Sequence, residues 1–205
     1  MTSVLANHIK GMLIDLKFID KKAGLVQTME RLEPTIVEDT FAVSKFPASV
    51  DVSFDDCGRK GCFTDLVPNS NLKGVLYFED LGTTPQGSRG SDFMYKSTLR
   101  LVVWLNNQKI QGKECQSIRH RLITYIRSKL EPNVFNIPEQ SIKKVSIVTG
   151  RIIENDYEIF KRYTYPRDVI KYLMHPYEAF SIDLVVEYTM SSNCLPELIL
   201  KEDRC

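Results

Sequence analysis

The 205-residue chain contains no apolar run that approaches the roughly 18–20 residues of a membrane span, so no membrane helix is expected. Cysteine is sparse and odd in number, with Cys57, Cys62, Cys115, Cys194 and Cys205 irregularly spaced. A secreted disulfide framework carries an even and denser set, so these thiols are expected to be free. Cys57 and Cys62 have the spacing of half a zinc site, but His8, His120 and His175 are scattered and supply no second short-spaced pair. Charge of one sign is also missing. The formal net charge is +1, which excludes an overall basic field for nucleic acid and an acidic surface that imitates one. Met1 to Ile19 carries His8, Lys10 and Asp15 and lacks the unbroken apolar stretch of a signal peptide. The chain is therefore expected to be made and kept in a cytosol.

Catalytic signatures are equally scarce. Gly82, Gly87 and Gly90 are not followed by Gly-Lys-Ser/Thr, and a strand rather than a helix comes next, so they do not form a phosphate cradle. No Gly-x-Ser-x-Gly elbow is present. Cys115 and His120 are five positions apart, and helical neighbours lie three or four apart. Two carboxylate pairs, Asp55-Asp56 and Glu79-Asp80, end strands, with Lys96 available as a partner. They are the residues a metal-dependent nuclease would use, although polar loop ends account for such pairs more often. These absences lead to the expectation of a protein that is not an enzyme and needs no cofactor or metal.

What is abundant is alternation. Val50, Val52 and Phe54 form one period-two set; Leu99, Leu101, Val103 and Leu105 form a second; Phe180, Ile182, Leu184, Val186 and Tyr188 form a third. Such strands place one set of side chains on a buried face. Between the second and third sets, residues 114–130 place Ile118, Leu122, Ile126 and Leu130 at steps of four, the stripe of an amphipathic helix that Pro132 ends. Val4, Leu5, Ile9, Met12, Leu13 and Leu16 make a similar stripe in an N-terminal helical segment of about residues 1–20. Short extended pieces are expected over 21–43, a short strand at 75–79, strands at 142–153 and 157–163, and a short helix between Pro166 and Pro176. Runs of strands around a helix predict an α+β class: a mostly antiparallel sheet with a long amphipathic helix packed on one face and an additional N-terminal helix. The organisation expected is one domain over 1–205, with a loop or arm excursion at about 55–96 and a short tail at about 190–205.

Three surfaces are candidates for contact. Gly82 to Asp92, rich in Gly, Ser, Thr and Pro, reads as the least structured piece and as an arm between strands; Gly82, Thr83, Thr84, Gln86 and Arg89 are its candidate interface residues. Val102, Trp104 and Val185 point away from the main apolar sets, so either a second layer or another subunit covers that face, with the N-terminal helix as one cover. Arg119, Arg121 and Arg127 lie on the polar faces of the 114–130 helix. A solvated face is the plainer reading there, with nucleic acid, a channel lining or a neighbouring subunit as the others.

The strand TLRLVVWLN, the helix ECQSIRHRLITYIRSKL and the final strand YEAFSIDLVVEYT, in that order, resemble the tail-terminator and head–tail completion proteins of tailed bacteriophages. The resemblance spans about half the chain and lies in the order of elements. This chain is longer than a typical member, with an added segment at 18–46 and the excursion at 55–92. The resemblance implies a structural virion protein, assembled in the bacterial host cytoplasm, whose sheet and helix form one wedge of a homo-oligomeric ring in the neck or tail. Its implied partners are copies of itself, neighbouring neck or tail rings, and DNA passing through the lumen, with no membrane. It brings no catalytic residues. The readings of other classes are a small metal-dependent nuclease or other phage-type enzyme, and a nucleic-acid-binding module using helix 114–130.

Overall fold

A computed structural model describes residues 1–34, 41–49, 64–114, 116–138, 141–154, 157–165 and 167–191. The strand expected at 48–54 lies mostly outside them, as do Asp55, Asp56, all five cysteines and the tail beyond Ser191.

The chain opens with α1 (Thr2–Met12), followed by β1 (Lys21–Pro34), β2 (Phe41–Ser49), β3 (Thr64–Asp65), β4 (Gly74–Arg89) and β5 (Asp92–Asn106). Next come α2 (Asn107–Gln111), α3 (Arg119–Leu130), β6 (Phe135–Ile137), β7 (Ile142–Glu154), α4 (Arg167–Ile170) and β8 (Tyr177–Ser191). The strands form one sheet in the order β3-β2-β1-β4-β5-β8-β7-β6. All neighbours are antiparallel except β1 and β4, which run parallel through Lys21, Lys22 and Leu25 against Val75, Leu76 and Phe78. The β5–β8 pairing is unbroken from Asp92 against Ser191 to Asn106 against Tyr177.

This architecture corrects the expected class. Of the described residues 52% are in strands and only 25% in helix, and the sheet curls into an eight-strand half-barrel rather than serving as a plate for one long helix. Of the helix read at 114–130, only α3, 12 residues from Arg119, is α-helical; a 3-10 turn at Gly112–Glu114 and the short α2 precede it. Asn106 caps α2 by accepting from the Lys109 N–H at 3.2 Å. The Gln111 amide then donates to the Gln116 carbonyl at 2.8 Å, fixing a non-helical link before α3. The 157–163 segment is not a strand. It is a 3-10 turn, Tyr157–Phe160, leading into the loop that carries Tyr163. Of the short extended pieces expected at Ile36, Val37, Phe41 and Val43, the first two lie outside the described residues and the last two belong to β2. Lys21–Pro34, where Gly24 reads as a break, is one 14-residue strand, and the 64–96 part of the excursion consists largely of β3, β4 and the start of β5.

Two apolar clusters lie on opposite faces of the sheet. On the inner face Leu76, Phe78, Leu99, Leu101, Val103, Phe180, Ile182, Leu184 and Val186 are buried with Leu5, Ile9 and Leu13 of α1 and with Leu122, Ile126 and Leu130 of α3. On the outer face Val75, Tyr77, Val102, Trp104 and Ala179 are buried beneath Ile159, Phe160, Tyr163 and Val169. The apolar outer positions are thus covered by the chain's own 157–173 segment, while the N-terminal helix sits on the inner face. Trp104 is 1% exposed, stacks on Tyr177 at 5.5 Å and donates its indole N–H to the Tyr172 carbonyl at 2.6 Å. No helix among the described residues is long and apolar enough to cross a membrane.

Candidate functional site

The first candidate surface is the distal half of the β4–β5 hairpin. Its composition suggested a loop, yet β4 runs to Arg89 and pairs with β5 to the turn at residues 89–92. Register shifts between Asp80 and Thr83 and between Pro85 and Gly87 are bulges, which admit glycine and proline into a strand. Gly82 and Gly87 sit there at φ of +118° and +116°, backbone angles that side-chain-bearing residues rarely adopt. The Asp80 carboxylate accepts the Gly82 N–H at 2.8 Å and closes the first bulge. The Thr83, Ser97 and Tyr188 hydroxyls form a chain across β4, β5 and β8, at 2.7 and 3.2 Å.

Gly82, Thr83, Thr84, Gln86 and Arg89 are all exposed on this arm, beside exposed Leu81 and Phe93. β1 pairs with β4 only as far as Phe78, so among the described residues no strand covers the β4 edge from Glu79 to Arg89. The arm is therefore a bulged ribbon paired along its length to β5, with its other edge unpaired among the described residues. Pattern reading could not show this, because bulge residues and loop residues have the same composition.

The remaining interface candidates fare differently. Trp104 is core and presents nothing to a neighbour. Arg119 pairs with Glu154 at 2.7 Å and joins the start of α3 to the end of β7. Arg127 is occupied by Glu131 one turn on, at 3.1 and 3.3 Å. Arg121 is exposed and borders an apolar groove of about 450 Å³ with Leu16, Phe18, Ile118 and Tyr125. The basic residues of α3 thus do not converge into one stripe.

The second candidate is a cleft of about 570 Å³ on the outer face, between β4, β5, β7 and the 157–163 segment. Glu79 lies at its floor and is 2% exposed. The Tyr163 hydroxyl donates to Glu79 at 2.5 Å, and Arg162 approaches its other oxygen at 3.9 Å. Burial raises the Glu79 carboxyl above the ordinary carboxylate range; the Tyr163 hydrogen bond, Arg162 and Arg100 pull it down, and Asp183 on β8 pushes it up. Burial also raises Tyr163, Tyr77 and Tyr165, and the nearby Glu79 raises all three further. Beside them Arg100 and Asp183, register partners across β5 and β8, form a two-pronged pair at 2.7 and 3.2 Å. Arg151, Lys161, Arg162 and Glu158 stand on the rim.

Of the nuclease carboxylates, Asp55 and Asp56 lie outside the described residues, and Glu79 and Asp80, though both border the outer cleft, are bonded to different elements. Glu79 faces the outer cleft, while Asp80 faces inward, accepting from the Thr2 hydroxyl at 2.9 Å. Lys96 pairs with Glu187 at 3.6 Å. Among the described residues no group of three or more metal-ligating side chains converges.

Sequence reasoning named Glu79 but missed Tyr163, Arg162 and Lys161. They lie more than 80 residues from Glu79 in sequence, in a segment misread as a strand, and no local pattern links them. A scan against models of known protein families finds no match, and a search of the curated proteins finds none either.

Proposed function

We propose that this chain is a non-enzymatic structural subunit that closes into a homo-oligomeric ring, of the kind found in the neck or tail of a tailed bacteriophage. The observation that carries the reading is the arm. Residues 81–89 are exposed on both faces of a bulged ribbon, and the outer edge of β4 there is unpaired among the described residues. A free edge of that length is a template for pairing with another chain, and proteins blunt such edges with lysine, proline or bulges. Here two bulges and Pro85 interrupt the edge, but it carries no lysine, and Leu81, Thr83, Thr84 and Gln86 stay exposed along it. Heterologous contacts between this edge and a different surface of the next copy generate a ring when the rotation closes.

In this reading the described sheet is the wedge, and the arm grips the next subunit or a neighbouring ring. DNA would pass through the lumen, in a virion assembled in the host cytoplasm. The phage setting rests on the strand–helix–strand order of β5, α3 and β8; the assembly reading rests on the arm.

The test is mass measurement of the purified full chain across a concentration series, alone and with particle extracts. A ring-sized species is expected. Thr84→Lys with Gln86→Lys should shift it toward monomer with an unchanged circular dichroism spectrum, because both side chains are exposed. A wild type that stays monomeric in every condition refutes the reading. Divalent-metal-dependent cleavage of DNA, lost in Glu79→Ala, would replace it with the nuclease.

A further inference from the structure

We propose that the cleft above Glu79 binds a small phosphate monoester, with its anionic head held by Lys161 and Arg162 and its organic body against Leu81, Ile153 and Ile159. Arg100 is committed to Asp183 by two short hydrogen bonds. Arg151 pairs with Glu158 at 3.3 Å in an exposed contact, which leaves that pair weak. Among the described residues Arg162 has one ion pair, with Glu79 at 3.9 Å, and its side chain is half exposed. Lys161 is exposed and has no ion pair among the described residues. Two adjacent cations therefore stand at the rim; of the carboxylates that border the same cleft, Glu158 faces Arg151 and Asp80 is bonded to the Thr2 hydroxyl and the Gly82 N–H, so neither is paired with Lys161 or Arg162.

A guanidinium beside an ammonium matches a dianion with three acceptor oxygens better than a single carboxylate. The cleft volume of about 570 Å³ lies in the range of small-molecule pockets, and is far larger than the head group alone requires. Leu81, Ile153 and Ile159 supply the apolar wall for the remainder. The cleft shares Glu79 and Leu81 with the base of the arm, but its cationic head site lies on Lys161 and Arg162, so small-ligand binding and oligomerisation can be lost separately.

The experiment is calorimetric titration of the full chain with phenyl phosphate, inorganic phosphate and phenol. Phenyl phosphate should bind saturably and more tightly than inorganic phosphate, and phenol should not bind. Lys161→Ala with Arg162→Ala should weaken phenyl phosphate by about tenfold or more, the loss expected for charge-assisted hydrogen bonds. Both side chains are exposed, and circular dichroism checks that the double variant is folded. Glu79→Gln keeps the acceptor for Tyr163 while removing the acid beneath the site, so it should leave affinity unchanged or raise it. No saturable binding of phenyl phosphate overturns the proposal. So does phenyl phosphate binding no tighter than inorganic phosphate, full affinity in the double variant, or weakened binding in Glu79→Gln.

Discussion

Replacing Trp104 by alanine separates a core clamp from an interface anchor. The side chain is 1% exposed and lies between the sheet and the 157–173 layer. Three losses follow from the change. The indole volume leaves a cavity, which for buried Trp→Ala changes costs about 3–5 kcal/mol. That figure already includes the stacked contact with Tyr177, worth about 0.5–1.5 kcal/mol of it. The Tyr172 carbonyl also loses its donor. Trp104→Phe keeps an aromatic ring but forfeits the hydrogen bond and part of the volume, so about 1–3 kcal/mol is expected. Urea denaturation followed by far-UV circular dichroism reads both values, since the chain's single tryptophan is the residue removed. A destabilisation near the half kcal/mol typical of surface changes, accompanied by loss of oligomer, would refute the core assignment and return Trp104 to the interface.

Leu122→Ala, at a buried position of α3, should cost about 2–5 kcal/mol by the same measurement. Gly82→Ala meets no atom within 4 Å, so its cost is backbone strain alone; about 1–3 kcal/mol is expected, with a normal spectrum. Glu79 has a raised folded-state pKa, so its favourable contribution is complete below the unfolded value near pH 4.3 and is lost as pH rises through the folded value. Glu79→Gln should therefore gain stability relative to wild type across that window and hold the gain above it, as read from urea midpoints between pH 4 and 8. A difference independent of pH would remove the buried acid from the argument.

Much of the inner face was legible because its signal is local. Period two over residues 99–105 and 180–188 identified β5 and β8, and the stripe at Leu5, Ile9 and Leu13 identified α1. The steps of four from Ile118 to Leu130 matched α3, but the start read at 114 was too early, because the Gln111 amide binds the Gln116 carbonyl in a non-helical link and the helix begins at Arg119. The outer layer was not legible. Its cover is an irregular segment whose anchoring bonds, Trp104 to Tyr172 and Glu79 to Tyr163, join residues 68 and 84 positions apart. Likewise, the bulges that let β4 run on to Arg89 look in sequence like the end of a strand.

The parallel join between β1 and β4 has a mechanical consequence. It divides the sheet into two plates, β3-β2-β1 and β4-β5-β8-β7-β6, each stitched internally by antiparallel ladders. The seam between them has only three register pairs, with a slip between Lys22 and Leu25, whereas β5 and β8 are joined along their full length. Parallel pairing is also slightly weaker per residue. A load applied across the strands therefore concentrates on that seam. What braces that seam is not the ladder but its two covers, α1 on the inner face and the Thr164 N–H donating to the Lys45 carbonyl on the outer, so the smaller plate depends on side-chain and loop contacts where the larger depends on its own strands.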